Sequence, residues 1–245
     1  MHPPSDSARS MYCSRQGAQM RSDMPRFIPA GVEKAMNGKT ATMPEVKLVE
    51  AAPLAEKVFT TERVGISRKT HEAHFKLFQG YANKTNEIRK ALAEMEIDPT
   101  KANQVYSQVR ALKADYSFAY GGFLNHELYF DILGGEGDPT GALADQITAA
   151  FGSLEAWKTD LKATGMAGRG WAWLAWDRNE NRLANFLGDA QNTYPMWNCV
   201  PLVGLDVYEH AYYLDFATDR AAHIDAFLQV IDWEAVARRF EKAKS

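Results

Sequence analysis

Cysteine is close to absent from this chain. Only Cys13 and Cys199 occur among 245 residues, so neither a disulfide framework nor a cysteine-based metal site is available, and a reducing compartment is the natural setting. No apolar run is long enough to span a bilayer, and the N-terminus lacks the apolar core of a signal peptide. An excess of positive charge is also missing. The formal net charge is −3, which argues against the basic surface that nucleic acid or an anionic membrane would attract, so neither partner is expected. The P-loop, the dinucleotide-binding glycine fingerprint and the Gly-x-Ser-x-Gly nucleophile elbow do not occur, which removes several large enzyme classes. No internal repeat is found.

What is present is ordinary globular composition, 46% hydrophobic and 24% charged, with six tryptophans that suit a well-packed interior. Residues 1–43 stand apart: they are rich in Ser, Met, Pro, Gly and Arg, with Arg9, Arg15, Arg21 and Arg26 spread among few acids. They read as a disordered extension or, alternatively, a targeting segment. The expected location is cytoplasmic, or an organelle matrix should 1–43 be a transit peptide.

Order begins near Pro44 with a short helix or extended arm over 45–59. Ser67 is a good N-cap for a long helix over 68–94, whose inward face would carry Thr70, His74, Leu77, Phe78, Tyr81 and Ile88 at steps of three and four. Asp98-Pro99-Thr100 breaks it. A second long helix is predicted over 101–133, with Val105, Val109, Leu112, Tyr116 and Phe123 on its stripe and Gly134-Gly135 as its stop. A short turn between them makes an antiparallel hairpin. Two shorter helices over 142–151 and 154–165 follow, then three strands over 171–176, 182–187 and 200–207, the first two joined as a hairpin across 178–181. Helices over 209–216, 220–230 and 233–242 close the chain. The fold class is α+β, with a helical-hairpin domain over 44–140 and a mixed domain over 141–245 built on a three-stranded antiparallel sheet flanked by helices.

Chemistry concentrates in Asp206-Val207-Tyr208-Glu209-His210. A strand end delivers Asp206, and His210 follows four residues later, so a carboxylate and an imidazole can converge. Asp206 could instead cap the next helix. Of the other histidines, His2 and His223 read as solvated, whereas His74 and His126 lie on the inward faces of the two long helices. A single histidine there is most often a packed core residue. Three imidazoles and a carboxylate drawn from both halves of the chain favour a buried metal between them. His71-Glu72-Ala73-His74 is one residue short of the zincin spacing, and the Glu-x-x-His pairs of di-iron bundles are missing from both long helices. A mononuclear site of three imidazoles and one carboxylate suits Mn or Fe.

Over residues 66–240 the chain resembles the iron/manganese superoxide dismutases. The match is carried by Ile66-Ser67-x-x-Thr70-x-Glu72-x-His74, by Gly121-Gly122-Phe123-Leu124-Asn125-His126, by GRGWAWL from Gly168, and by GLDVYEHAYY from Gly204. The resemblance implies one Mn or Fe ion per subunit, held by His74, His126, Asp206 and His210, and superoxide as substrate. It also implies disproportionation to O₂ and hydrogen peroxide. Gln191 matches the glutamine that bonds metal-bound solvent in manganese-type members, and Gly122 leaves the space that iron-type members fill with their own glutamine, so manganese is favoured. Tyr81 and Arg220 match the gateway tyrosine and the funnel arginine. Glu209 matches an acid that reaches the ligand histidine of a second subunit, and Tyr213 a tyrosine at the same interface, which implies a homodimer that can pair into a tetramer.

The chain also departs from that pattern. Tyr208 and Phe130 stand where tryptophans are expected around the metal, leaving Trp171. Phe78 replaces a histidine that would meet the partner's tyrosine. His74 and Tyr81 are seven residues apart rather than eight, which is two turns of a regular α-helix, so they share a face without a π-bulge. The metal site is expected intact, with the proton relay and dimer linkage altered. A metal-binding protein of the same fold with little turnover is the alternative.

Overall fold

Ser67 fixes the first long element. Its hydroxyl accepts from the Thr70 amide, and α1 runs from there over Arg68–Glu94, the predicted bounds. A computed structural model describes residues 45–193 and 197–245; Cys13 and the expectation of a disordered or targeting extension over 1–43 lie outside the described residues. Residues 45–55 form an extended arm, followed by a 3-10 segment at Glu56–Val64. The arm lies along α1, where Asn86 bonds both the amide and the carbonyl of Val49.

The second helix, α2, spans Gln108–Asp131 and begins later than predicted. Asn103 is the reason. Its side chain accepts the amides of Val105 and Tyr106 in a local turn, and Ser107 then caps the helix at the Arg110 amide. The stripe assigned from Val105 onward is therefore corrected: Val105 is 64% exposed, and burial begins at Ala119. The link between the helices is the whole of 95–107 rather than a short turn. Leu77, expected inside, is 41% exposed. It lines an open groove of about 520 Å³ with Tyr81, Leu112 and Phe118. The antiparallel pairing holds, because Phe78 meets Phe123 while Arg89 meets Tyr116. No π-turn interrupts α1.

The second half is α3 (Gly141–Phe151), α4 (Leu154–Ala167), β1 (Trp171–Asp177), β2 (Arg182–Gly188), β3 (Cys199–Asp206), α5 (Tyr213–Phe216), α6 (Arg220–Leu228) and α7 (Trp233–Lys244). The antiparallel sheet has the order β2-β1-β3. Every residue of β1 is buried, because helices cover the central strand on both sides; hence the unbroken apolar run of Trp171 to Trp176 in place of alternation. On β3 the pairing slips between Leu174 and Ala175, opposite Pro201. A proline has no amide to donate, so it sits where the ladder is already interrupted on an edge strand.

Residues of both halves share one apolar cluster, among them Phe78, Phe123, Tyr129, Trp171, Leu205, Ile224 and Phe227. The end of the hairpin is tied to the C-terminal helices by a bridge between Leu133 and Ile231, with Gly134 donating to Val230 O at 2.9 Å. Gly134 has φ of 88°, and a Cβ there would stand 2.0 Å from Lys57 O, so only glycine allows this crossing.

Candidate metal centre

Four side chains converge where α1, α2, the end of β3 and the turn after it meet. His74 and His126 come from the facing stripes of α1 and α2, Asp206 from the last position of β3, and His210 from a single 3-10 turn at Glu209–Ala211. One ligating atom from each lies within 4.8 Å of all the others. Asp206 Oδ2 is the hub, 3.1 Å from His210 Nε2, 3.2 Å from His74 Nε2 and 3.9 Å from His126 Nε2. Its other oxygen accepts the Tyr208 amide at 2.9 Å, which locks the carboxylate plane. His74, His126 and Asp206 are fully buried.

The protonation states of His74, His126 and Asp206 suit a cation. Burial holds His74 and His126 below the usual imidazole range, His126 at about 3, with Asp206 only partly opposing it. Burial alone would raise Asp206, but His210 and His74 together bring its carboxyl far below the usual range. His210 itself is raised, since its attraction to Asp206 exceeds the effect of its burial. His126 Nδ1 lies 2.6 Å from Gly122 O, and a carbonyl can only accept, so Nδ1 carries the hydrogen. The Nε2 lone pair is then buried without a hydrogen-bond partner and turned toward a carboxylate. Two acceptors facing each other in a dry site are favourable only with a cation between them, and three imidazoles plus one carboxylate are a donor set for Mn or Fe.

Aromatic side chains close the site. Trp171 stands edge-on to His126 with ring centroids 5.5 Å apart, Phe78 stacks on His126 at 6.2 Å, and Phe130 lies 5.2 Å from His74. Tyr208 stacks on His210 at 5.3 Å. Gln191 is buried and its Oε1 accepts from Trp171 Nε1 at 3.0 Å and Asn125 Nδ2 at 3.4 Å, so its amide nitrogen, without a partner, points away from both. Tyr81 is half-buried 5.0 Å from the His126 ring, and burial and Asp206 raise its phenol against the opposing effect of Gln191.

The reading of Gly122 needs correction. Sequence suggested an open space there, but a Cβ on Gly122 would lie 2.6 Å from the Tyr81 ring. The glycine admits the tyrosine, and the space is already filled.

Glu209 is exposed, as is Tyr213 at 52%, and the His210 side chain keeps 27% of its surface open. Arg220 is not a free charge: its Nη1 donates to Gly168 O at 2.7 Å and Gly165 O at 3.4 Å, and its Nε to the Tyr212 hydroxyl at 3.4 Å. His223, expected in solvent, is fully buried and bonds Asp206 O at 3.1 Å through Nε2. Its neighbours Asp219, Arg220 and Asp225 are polar, which hid it in the sequence. Asn125, adjacent to His126, was also passed over. Its position beside Gln191 is set by tertiary packing, and no local pattern signals it.

Residues 139–239 match the family model "Iron/manganese superoxide dismutases, C-terminal domain". Over 183 residues the chain is 45% identical to "Superoxide dismutase [Fe]" of Aquifex pyrophilus, covering 73% of this chain and 86% of that protein. It is 35% identical over 175 residues to "Superoxide dismutase [Mn] 1" of Halobacterium salinarum, covering 71% and 84%. With "Superoxide dismutase [Fe]" of Cupriavidus metallidurans the identity is 33%, over 73% and 90%.

Proposed function

Because the chain belongs to the iron/manganese superoxide dismutase family, we propose that it disproportionates superoxide to O₂ and hydrogen peroxide at one Mn or Fe ion held by His74, His126, Asp206 and His210. The observation that carries the assignment is the buried, unpartnered Nε2 of His126 facing the Asp206 carboxylate. A bound Mn or Fe supplies the one-electron couple that oxidises one superoxide to O₂ and reduces the next, which leaves as peroxide with two protons.

The remaining work falls to the protein. Asp206, ionised among three imidazoles, supplies the negative charge that favours the higher oxidation state. Trp171, Phe78 and Phe130 keep bulk water from the imidazoles. Tyr81 Oη stays protonated at neutral pH because burial and Asp206 raise it, so it offers a proton near the His126 ring. Gln191 Nε2 is the second donor, held in orientation by the bonds of Trp171 and Asn125 to Oε1. These two groups are the proton-handling pair, and Gln191 Nε2 would be placed to tune the potential of an ion held by the four donors.

Manganese is the favoured ion, on the strength of Gln191. The division into 44–140 and 141–245 is supported by the family match beginning at 139. The proposed assembly is a homodimer, able to pair into a tetramer, in which Glu209 and Tyr213 meet a second copy beside His210. No described helix is long and apolar enough to cross a membrane, and the proposed location is cytoplasmic, or an organelle matrix if residues 1–43 direct it there.

Metal analysis together with a superoxide-decay assay on the purified protein tests the assignment. Stoichiometric Mn or Fe with rapid decay is expected. Stoichiometric metal without decay would identify a binding protein of this fold instead, the outcome to which Tyr208, Phe130 and Phe78 would then be traced. A chain that takes up no metal would defeat both readings.

A further inference from the structure

Helix α6 touches the metal centre without contributing a ligand. Arg220 and His223 are three residues apart, so they leave one face of the helix together. Arg220 holds Gly168 O, three residues before Trp171 opens β1. His223 holds Asp206 O, where β3 ends. Trp171 and Asp206 are direct register partners across the ladder. One helix face therefore grips the C-cap of α4, just before β1, and the end of β3, on either side of the rung that carries the hub carboxylate and the indole that orients Gln191.

We propose that His223 is a positioning residue for Asp206, fixing the peptide plane at the end of β3 and with it the direction in which the carboxylate faces the three imidazoles. The bonding is directional. A carbonyl only accepts, so His223 Nε2 is the donor. Tyr212 stacks on the ring at 5.0 Å and Phe216 meets its edge at 5.8 Å, so the imidazole has little freedom to turn. On the far side of the same residue, Asp206 Oδ1 is fixed by the Tyr208 amide, and the next amide, Val207, donates to Gly170 O at 2.9 Å. The backbone carbonyl of Asp206 is held by an imidazole reaching in from α6. Its other nitrogen, Nδ1, is buried without a partner, a cost that a purely packing residue such as Phe or Leu would avoid.

The inference rests on the reading of Asp206 as a metal ligand, so the experiment carries a control for that reading. Full-length, metal-loaded wild-type, Asp206→Ala, His223→Phe and His223→Gln proteins are compared for the rate of metal transfer to excess EDTA and for midpoint potential. Phenylalanine keeps the volume and the stacking but removes the donor; glutamine gives up the ring but keeps an N–H at similar reach. By analogy with outer hydrogen-bond partners of metal ligands, His223→Phe is expected to lose metal on the order of tenfold faster, with a shifted potential, while His223→Gln stays within about twofold of wild type. Should His223→Phe not fold, His223→Met, also without a donor, takes its place. Equal behaviour of the donor-free and glutamine variants, or a wild-type potential in the donor-free variant, would overturn the inference. Metal retention by Asp206→Ala would overturn the ligand reading instead, and the two failures are thereby separable.

Discussion

The back of the metal centre and its front are built differently. At the back, His74, His126 and Asp206 have no exposed surface, and they are held by the Gly122 carbonyl, the Tyr208 amide, the His223 imidazole, Phe78, Phe130 and Trp171. At the front, His210 stands on one short turn with part of its ring open, flanked by exposed Glu209 and Tyr213. The contrast teaches that one chain suffices to bring the donor atoms together and to dry three of them, while the fourth is left for something else to cover. In the proposed dimer that cover is the second copy.

If the back is self-sufficient, breaking it should cost everything. His126→Ala removes a donor that nothing else can replace, and elemental analysis is expected to find no retained metal; a fully loaded variant would show the ligand assignment wrong. The front should fail more gently. Glu209→Ala is expected to weaken the dimer by about 2–5 kcal/mol, the usual loss when one member of a buried charged pair is truncated, with metal still bound. Unchanged sedimentation across a dilution series would count against the cross-subunit pairing. Gly122→Ala sharpens the comparison, because it presses on Tyr81 where back and front meet. Overpacking of this kind costs about 1–3 kcal/mol, and thermal unfolding should show it together with a shifted pH profile of activity, whereas an unaltered profile would place Tyr81 outside the proton chemistry. The smallest effect is expected far from the ions: Ser67→Ala removes the cap of α1 and should lower stability by about 1 kcal/mol, leaving metal content as it was.

Sequence carried the elements whose signals are local. The bounds of α1 follow from Ser67 and an uninterrupted stripe, and the three strands from short apolar runs set between polar turns. The start of α2 was misplaced because the Asn103 side chain, competing for backbone amides, outweighed the helical spacing of Val105 and Val109. In the site, the four converging residues were legible because only a few side-chain types ligate metals and each lay on an inward stripe, at a strand end or in the turn directly after it. What stayed hidden depends on which surfaces meet. Nothing near Gly122 in sequence announces that the Tyr81 ring will occupy its missing side chain. Nothing around His223 reveals that α6 turns that face to Asp206, since a buried imidazole that serves one carbonyl has the same local pattern as a solvated one.

The link over 95–107 stands outside all of this. Tyr106 is 92% exposed, the segment turns on its own Asn103 and Asp98 side chains, and no residue of it reaches the four donors. Short of Ser107, which caps α2, a peptide bond there closes nothing that the packing of α1 against α2 does not already hold. The link is thus a natural place to cut the chain: a break between 98 and 106 would leave α1 and α2 joined by their packing alone, and so would measure how much of the hairpin the covalent connection supplies.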